Sequence, residues 1–98
     1  MSSSIKVIDE EATSVIALEG NLDESLSPQL ESTLSKLDVS DDQKIIIDFE
    51  KVAEVTPDGV RVLLNAFINQ NSAGLGLKNP NNEVKQLLST VGLASLIQ

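Results

Sequence analysis

The chain contains no cysteine, no histidine, no tryptophan and no tyrosine. Without cysteine there are no disulfides, no thiolate nucleophiles and no thiolate metal sites. Without histidine, acid/base chemistry near neutral pH loses its usual side chain. Aromatic residues amount to 2%, namely Phe49 and Phe67, so the core must be aliphatic and the surface offers no stacking platform. Basic residues are also few, 7 against 15 acidic ones, for a net charge of −8. Such a charge repels phosphate backbones and anionic headgroups at long range, which makes nucleic acid and membrane surfaces poor partners. No apolar run approaches membrane-spanning length, and Met1-Ser2-Ser3-Ser4 lacks the basic stretch and apolar run of a signal peptide. Cytoplasmic residence without membrane insertion is the expectation, and neither a metal site nor a cofactor is expected.

What is present is 98 residues, 41% of them hydrophobic, which fits one domain spanning residues 1–98 with a single modest core. Ile5-Lys6-Val7-Ile8 and Val15-Ile16-Ala17-Leu18 are β-rich runs separated by polar residues and predict a hairpin. Gly20-Asn21 breaks the second strand. From Ser25 the apolar period becomes helical, with Leu26, Leu30, Leu34 and Leu37 on one face, Pro28 in the first turn, Ser25 or Ser27 as cap and an end near Asp38. Ile45-Ile46-Ile47 is a continuous apolar run of the kind found in strands covered on both faces.

A second helix is predicted from Thr56-Pro57, with Thr56 as cap and Pro57 at the first helical position. Val60, Leu63, Leu64, Phe67 and Ile68 then form one stripe that should face the sheet, against Ile45 and Ile47. A weak strand follows at Leu75 to Lys78. Asn79-Pro80-Asn81 opens a third helix with Val84, Leu87, Leu88 and Val91 inward, Gly92 as its stop, and Leu93, Leu96 and Ile97 folding back on the core. The order predicts an α/β fold, a mixed sheet of four or five strands covered by three or more helices, with both early crossover helices on one face unless the strand order reverses.

No catalytic constellation emerges. Asp41-Asp42 reads as a solvated loop pair. Gly74-Leu75-Gly76 resembles part of a phosphate loop but follows a helix, lacks a third glycine and has no Lys-Ser or Lys-Thr pair beyond it. Asp48 ends the central strand, where α/β proteins often place ligands, without a base, nucleophile or metal-ligating companion. The chain is therefore read as a non-enzyme.

The segment Ile45-Ile46-Ile47-Asp48-Phe49 through Thr56-Pro57-Asp58-Gly59-Val60 resembles the signature of the STAS family. In that signature a strand ending in Asp and an apolar residue leads to Asp-Ser-Ser-Gly-Leu at the start of a helix. Gly20-Asn21-Leu22-Asp23 is similar to the family's Gly-x-Leu-Asp, Asn79-Pro80 to its Asn-Pro, and Gly92-Leu93 to its closing Gly-Leu. The resemblance implies a STAS-like (SpoIIAA-like) fold. It also implies the role of a bacterial anti-sigma factor antagonist: a signalling module in transcription regulation whose partner is an anti-sigma factor or related serine kinase or phosphatase. A rival implication is the STAS subunit of a phospholipid-transport ABC system, docked on its ATPase.

In the antagonists the first Ser of Asp-Ser-Ser-Gly is phosphorylated. Here Pro57 stands at that position, between Thr56 in place of the Asp and Asp58 in place of the second Ser, so the acceptor hydroxyl is absent. Thr56 could accept a phosphate only by giving up its cap. The resemblance implies a partner-binding surface of Asp23, Glu54, Thr56, Pro57, Asp58, Gly59 and Arg61. The plain alternative for Thr56-Pro57-Asp58 is a cap, a first-turn proline and an acid that compensates the helix dipole.

Overall fold

A computed structural model of the chain describes residues 4–10, 13–36, 44–69 and 75–97. Along the chain the elements are strands β1 (Ser4–Glu10) and β2 (Thr13–Glu19), helix α1 (Ser27–Lys36), strand β3 (Lys44–Lys51), helix α2 (Pro57–Asn69), strand β4 (Leu75–Lys78), helix α3 (Asn82–Thr90) and a 3-10 turn, Ala94–Leu96. The sheet order is β1-β2-β3-β4. β1 runs antiparallel to β2, with Ile5 opposite Leu18 and Ile8 opposite Val15. β2, β3 and β4 are parallel, with Ile16 opposite Ile47 and Ile47 opposite Leu77. This is the mixed sheet the element order predicts, with four strands. Because the order does not reverse, right-handed crossovers place α1 and α2 on the same face, where the two helices touch.

Alternation in β2 sends Ser14, Ile16 and Leu18 inward. Ile45, Ile47, Phe49 and Leu77 join them from the parallel strands, and Leu30, Leu63 and Leu88 come down from the three helices. The core is aliphatic around one phenylalanine, as the composition requires. Ile46 is buried as well, on the other side of β3 beside Val15 and Gly76 in register, so the continuous run is shielded on both sides.

The α2 stripe is rotated from its predicted position. Val60 and Leu63 are buried, Leu64 and Phe67 half-buried, while Ile68 is exposed and the interior places go to Val62 and Ala66. At 3.6 residues per turn Ile68 lies roughly 140° around the helix from Leu63. The helix must serve two neighbours, the sheet and α1, and that turns its buried face toward Val62.

The entry to α1 also differs. Neither Ser25 nor Ser27 caps it. Asp23 Oδ1 accepts the amides of Ser25 and Leu26 at 2.9 and 3.1 Å, and the Asp23 carbonyl accepts the Ser27 amide. A charged acceptor two residues before Ser25 outcompetes a neutral hydroxyl, and the Ser27 hydroxyl is buried with no hydrogen-bond partner among the described residues.

The third helix begins as predicted. Asn81 Oδ1 accepts the Val84 amide at 2.8 Å, and Asn81 Nδ2 donates to the carbonyls of Val52 and Ala53, so one side chain both caps α3 and ties it to the end of β3. The helix stops at Gly92, whose φ of 91° is the left-handed conformation. Leu93 N–H closes on the Leu88 carbonyl and Gly92 N–H on that of Ser89, the paired bonds of a Schellman ending. Leu93 and Leu96 are buried, and Ile97 bridges to Leu77 at the sheet edge.

Two weak ligand hints resolve into structure. Gly76 is buried within β4, not in a loop. Asp48 Oδ1 accepts the Glu50 amide and the side-chain amide of Asn79, holding the ends of β3 and β4 together. The Asp41-Asp42 pair, Leu37, the predicted helix end near Asp38 and Gly74 lie outside the described residues.

Candidate docking surface at the start of helix α2

Beyond β2 the chain does not turn away but stays zipped to the segment after β3. Gly20 N–H donates to Lys51 O, Leu22 N–H to Glu54 O and Thr56 N–H to Leu22 O, while Glu54 N–H donates to Asn21 Oδ1. Leu22 and Val55 form a parallel bridge. These bonds bring residues 20–24 beside 54–59, which are 33 or so positions apart in sequence. Sequence spacing alone gives no hint of that approach.

Leu22 is the hub. Its side chain is fully buried, and its carbonyl accepts both the Thr56 amide at 2.9 Å and the Thr56 hydroxyl at 3.3 Å. Thr56 holds the cap position through its carbonyl, which accepts the Val60 amide, but the hydroxyl bond it makes crosses to Leu22 instead of turning to the helix's own amides. Gly59 packs directly under this hub. A Cβ there would come within 2.7 Å of both the carbonyl oxygen and Cγ of Leu22. Gly59, predicted as a contact residue, is therefore buried and acts by permitting close approach.

Gly59→Ala is expected to lower stability by about 1–3 kcal/mol, because overpacking against a backbone oxygen outweighs the gain of up to about 1 kcal/mol in helix propensity. Urea unfolding measures it. An unchanged or raised midpoint would mean the Leu22 loop gives way freely.

Of the remaining candidate residues, four share one surface depression, while Arg61 and Glu54 lie outside it. Asp23, Glu24, Thr56, Pro57 and Asp58 line one shallow depression, with Pro57 exposed at the first position of α2. Next to it, between α1 and α2, lies a groove lined by Glu24, Glu31, Asp58 and Arg61, among others. Arg61 donates to Asp58 Oδ1 at 3.2 Å, an exposed i,i+3 pair contributing about 0.3–0.5 kcal/mol. Glu54 stands to one side, near Glu83 and Leu87. Sequence reasoning missed Glu24, Glu31 and Glu83. They belong to no motif and reach this pole only because α1 lies beside α2 and α3 is tied to residues 52–53. Arg61 is the one basic residue among those lining these three depressions. Among the described residues no cluster of acidic side chains is arranged to hold a metal ion.

Against known families, the profile described as "Mlab, STAS domain" matches residues 5–98. The chain belongs to the STAS domain family. No curated protein sequence matches this STAS domain significantly. Solved structures do resemble it. The anti-sigma factor antagonist SpoIIAA in its unphosphorylated form superposes with a TM-score of 0.78 at 24% identity, covering 97% of this chain and 86% of that one. An anti-sigma factor antagonist from Mycobacterium paratuberculosis gives 0.81 at 21% identity, covering 98% and 83%. A sulfate transporter family protein from Wolinella succinogenes gives 0.76 at 12% identity, covering 92% and 79%. At these identities the likeness is one of fold. Among the described residues of this STAS domain, no helix is long and apolar enough to cross a membrane.

Proposed function

We propose that the chain is a non-enzymatic protein-docking module of the anti-sigma factor antagonist type, acting in cytoplasmic signalling without a phosphorylation switch at Pro57. The observation that carries this reading is the pole at the start of α2. Asp23, Glu24, Thr56, Pro57 and Asp58 share one open depression, and the acids Glu31, Glu54 and Glu83 line two further depressions, with Arg61 the one basic residue among those lining the three. Such a surface favours a partner with a basic face, and it steers encounter in a salt-dependent way. The partner is an anti-sigma factor or related serine kinase or phosphatase. Capture on the immobilised chain from source-cell extract, with mass spectrometry, tests this, and an anti-sigma kinase that elutes with rising salt is the expected catch.

The absent hydroxyl at Pro57 supports a second reading, a STAS subunit docked constitutively on a transporter ATPase, which needs no phosphorylation cycle. In that case the same capture returns the ATPase.

Under either reading, incubation with an anti-sigma kinase and ATP leaves the intact mass unchanged. Pro57 has no hydroxyl, and that of Thr56 is engaged with the Leu22 carbonyl. A stoichiometric gain of one phosphate at Thr56 would restore the switch and overturn the reading.

A further inference from the structure

Two polar residues are buried among the described residues, Ser14 and Ser27. Ser14 donates to Asp9 Oδ1 at 2.9 Å. Ser27, 2% exposed, has a hydroxyl with no hydrogen-bond partner, the one such buried side-chain atom among the described residues. Buried polar atoms are nearly always paired, so a lone exception calls for a partner from outside the fold. Ser27 lines the groove between α1 and α2, whose volume of about 320 Å³ falls within the roughly 300–1,000 Å³ of small-molecule sites.

The walls of the groove narrow the chemistry of that partner. Glu31 follows Ser27 by four residues on α1, and Glu24 precedes it by three in the turn that leads into the helix. Positions so spaced lie on one side of a helix. Both glutamates are exposed and neither is in an ion pair among the described residues. Across the groove Asp58 is already matched by Arg61 at 3.2 Å, so the unbalanced charge is that of the two glutamates, and the ligand is a cation. They stand seven residues apart, about 10 Å along a helix at 1.5 Å per residue, and among the described residues no acidic cluster is arranged to hold a metal ion. A flexible chain carrying several ammonium groups spans such a separation and brings N–H donors to the oxygen between them.

We propose that this groove binds a linear polyamine, with ammonium groups paired to Glu24 and Glu31 and one N–H donated to Ser27 Oγ. That oxygen is closed to bulk water in the free chain, so the groove opens slightly as the amine enters. The site needs no protein partner and does not rest on the docking reading. A bound polyamine would nevertheless offset the acids that draw a basic protein to the adjacent pole.

Titration of the full chain with spermidine, followed by amide NMR shifts and by the thermal unfolding midpoint, tests it against magnesium chloride at equal ionic strength. Spermidine is expected to shift residues 24–35 and 58–62 and to raise the midpoint, and magnesium to do neither to the same extent. Glu31→Gln should weaken spermidine binding by about tenfold and Ser27→Ala by about fivefold, while Glu50→Gln, an exposed acid outside the groove, leaves it unchanged. Without spermidine, Ser27→Ala should keep or raise the native midpoint, because it removes an unpaired hydroxyl and favours the helix. A lowered midpoint would show that the hydroxyl has a partner in the free chain and would overturn the proposal. So would equal responses to magnesium and spermidine, equal losses in Glu31→Gln and Glu50→Gln, or a Ser27→Ala chain that binds spermidine as the native one does.

Discussion

Leu63→Ala is expected to lower unfolding free energy by about 2–5 kcal/mol, the cost of removing a buried leucine's atoms and leaving a cavity behind. Leu63 is 1% exposed and belongs to the same buried cluster as Leu30, Ile45 and Ile47. Ile68→Ala, five residues along the same helix, should change stability by no more than about 0.5 kcal/mol, because that side chain is 71% exposed. The pair of variants measures the rotation of α2 directly. Equal losses in a denaturant titration would show that the helix faces the sheet along the stripe that runs through Ile68.

Asp58→Lys is expected to separate binding from folding. Reversing this charge in the first turn of α2 weakens the helix by roughly 0.3–1 kcal/mol and loses the small contribution of Arg61. Affinity for a basic partner surface should fall at least about tenfold, about 1.4 kcal/mol, since a like charge then faces the docked protein. Pro57→Ser serves as the control. It changes stability by no more than ~1 kcal/mol, through loss of the proline's preset φ and restricted unfolded state, and it leaves binding intact. Titration calorimetry with the captured partner distinguishes these outcomes. If Asp58→Lys binds as the native chain does, the interface lies elsewhere, and Thr56-Pro57-Asp58 only starts a helix.

Element order, sheet class and the main core residues are legible in the sequence because they rest on periodicity. Ile45-Ile46-Ile47, the Pro57 helix start, the Asn81 region and the Gly92 stop each carry a local chemical signal that tertiary contacts reinforce. The misread details share one cause, a long-range partner that local patterns cannot show. Ile68 turns outward because α1 claims the Val62 side of α2. Thr56 directs its hydroxyl to Leu22, 34 residues away, and Gly59 is buried under the same residue. The motif-bearing positions of the proposed docking pole follow from the STAS resemblance alone. Its further acids do not, because Glu24, Glu31 and Glu83 follow no pattern and gather only once the helices are packed.

On the proposed reading, partners dock on the pole formed by the start of α2 and the Leu22 loop. Hydrogen exchange, followed by mass spectrometry on the free chain and on its complex with the captured partner, locates the contact. New protection is expected in peptides spanning residues 22–31 and 54–61, with peptides covering 44–49 unchanged because they are already paired within the sheet. Protection confined to other segments, with 54–61 exchanging as in the free chain, would contradict it.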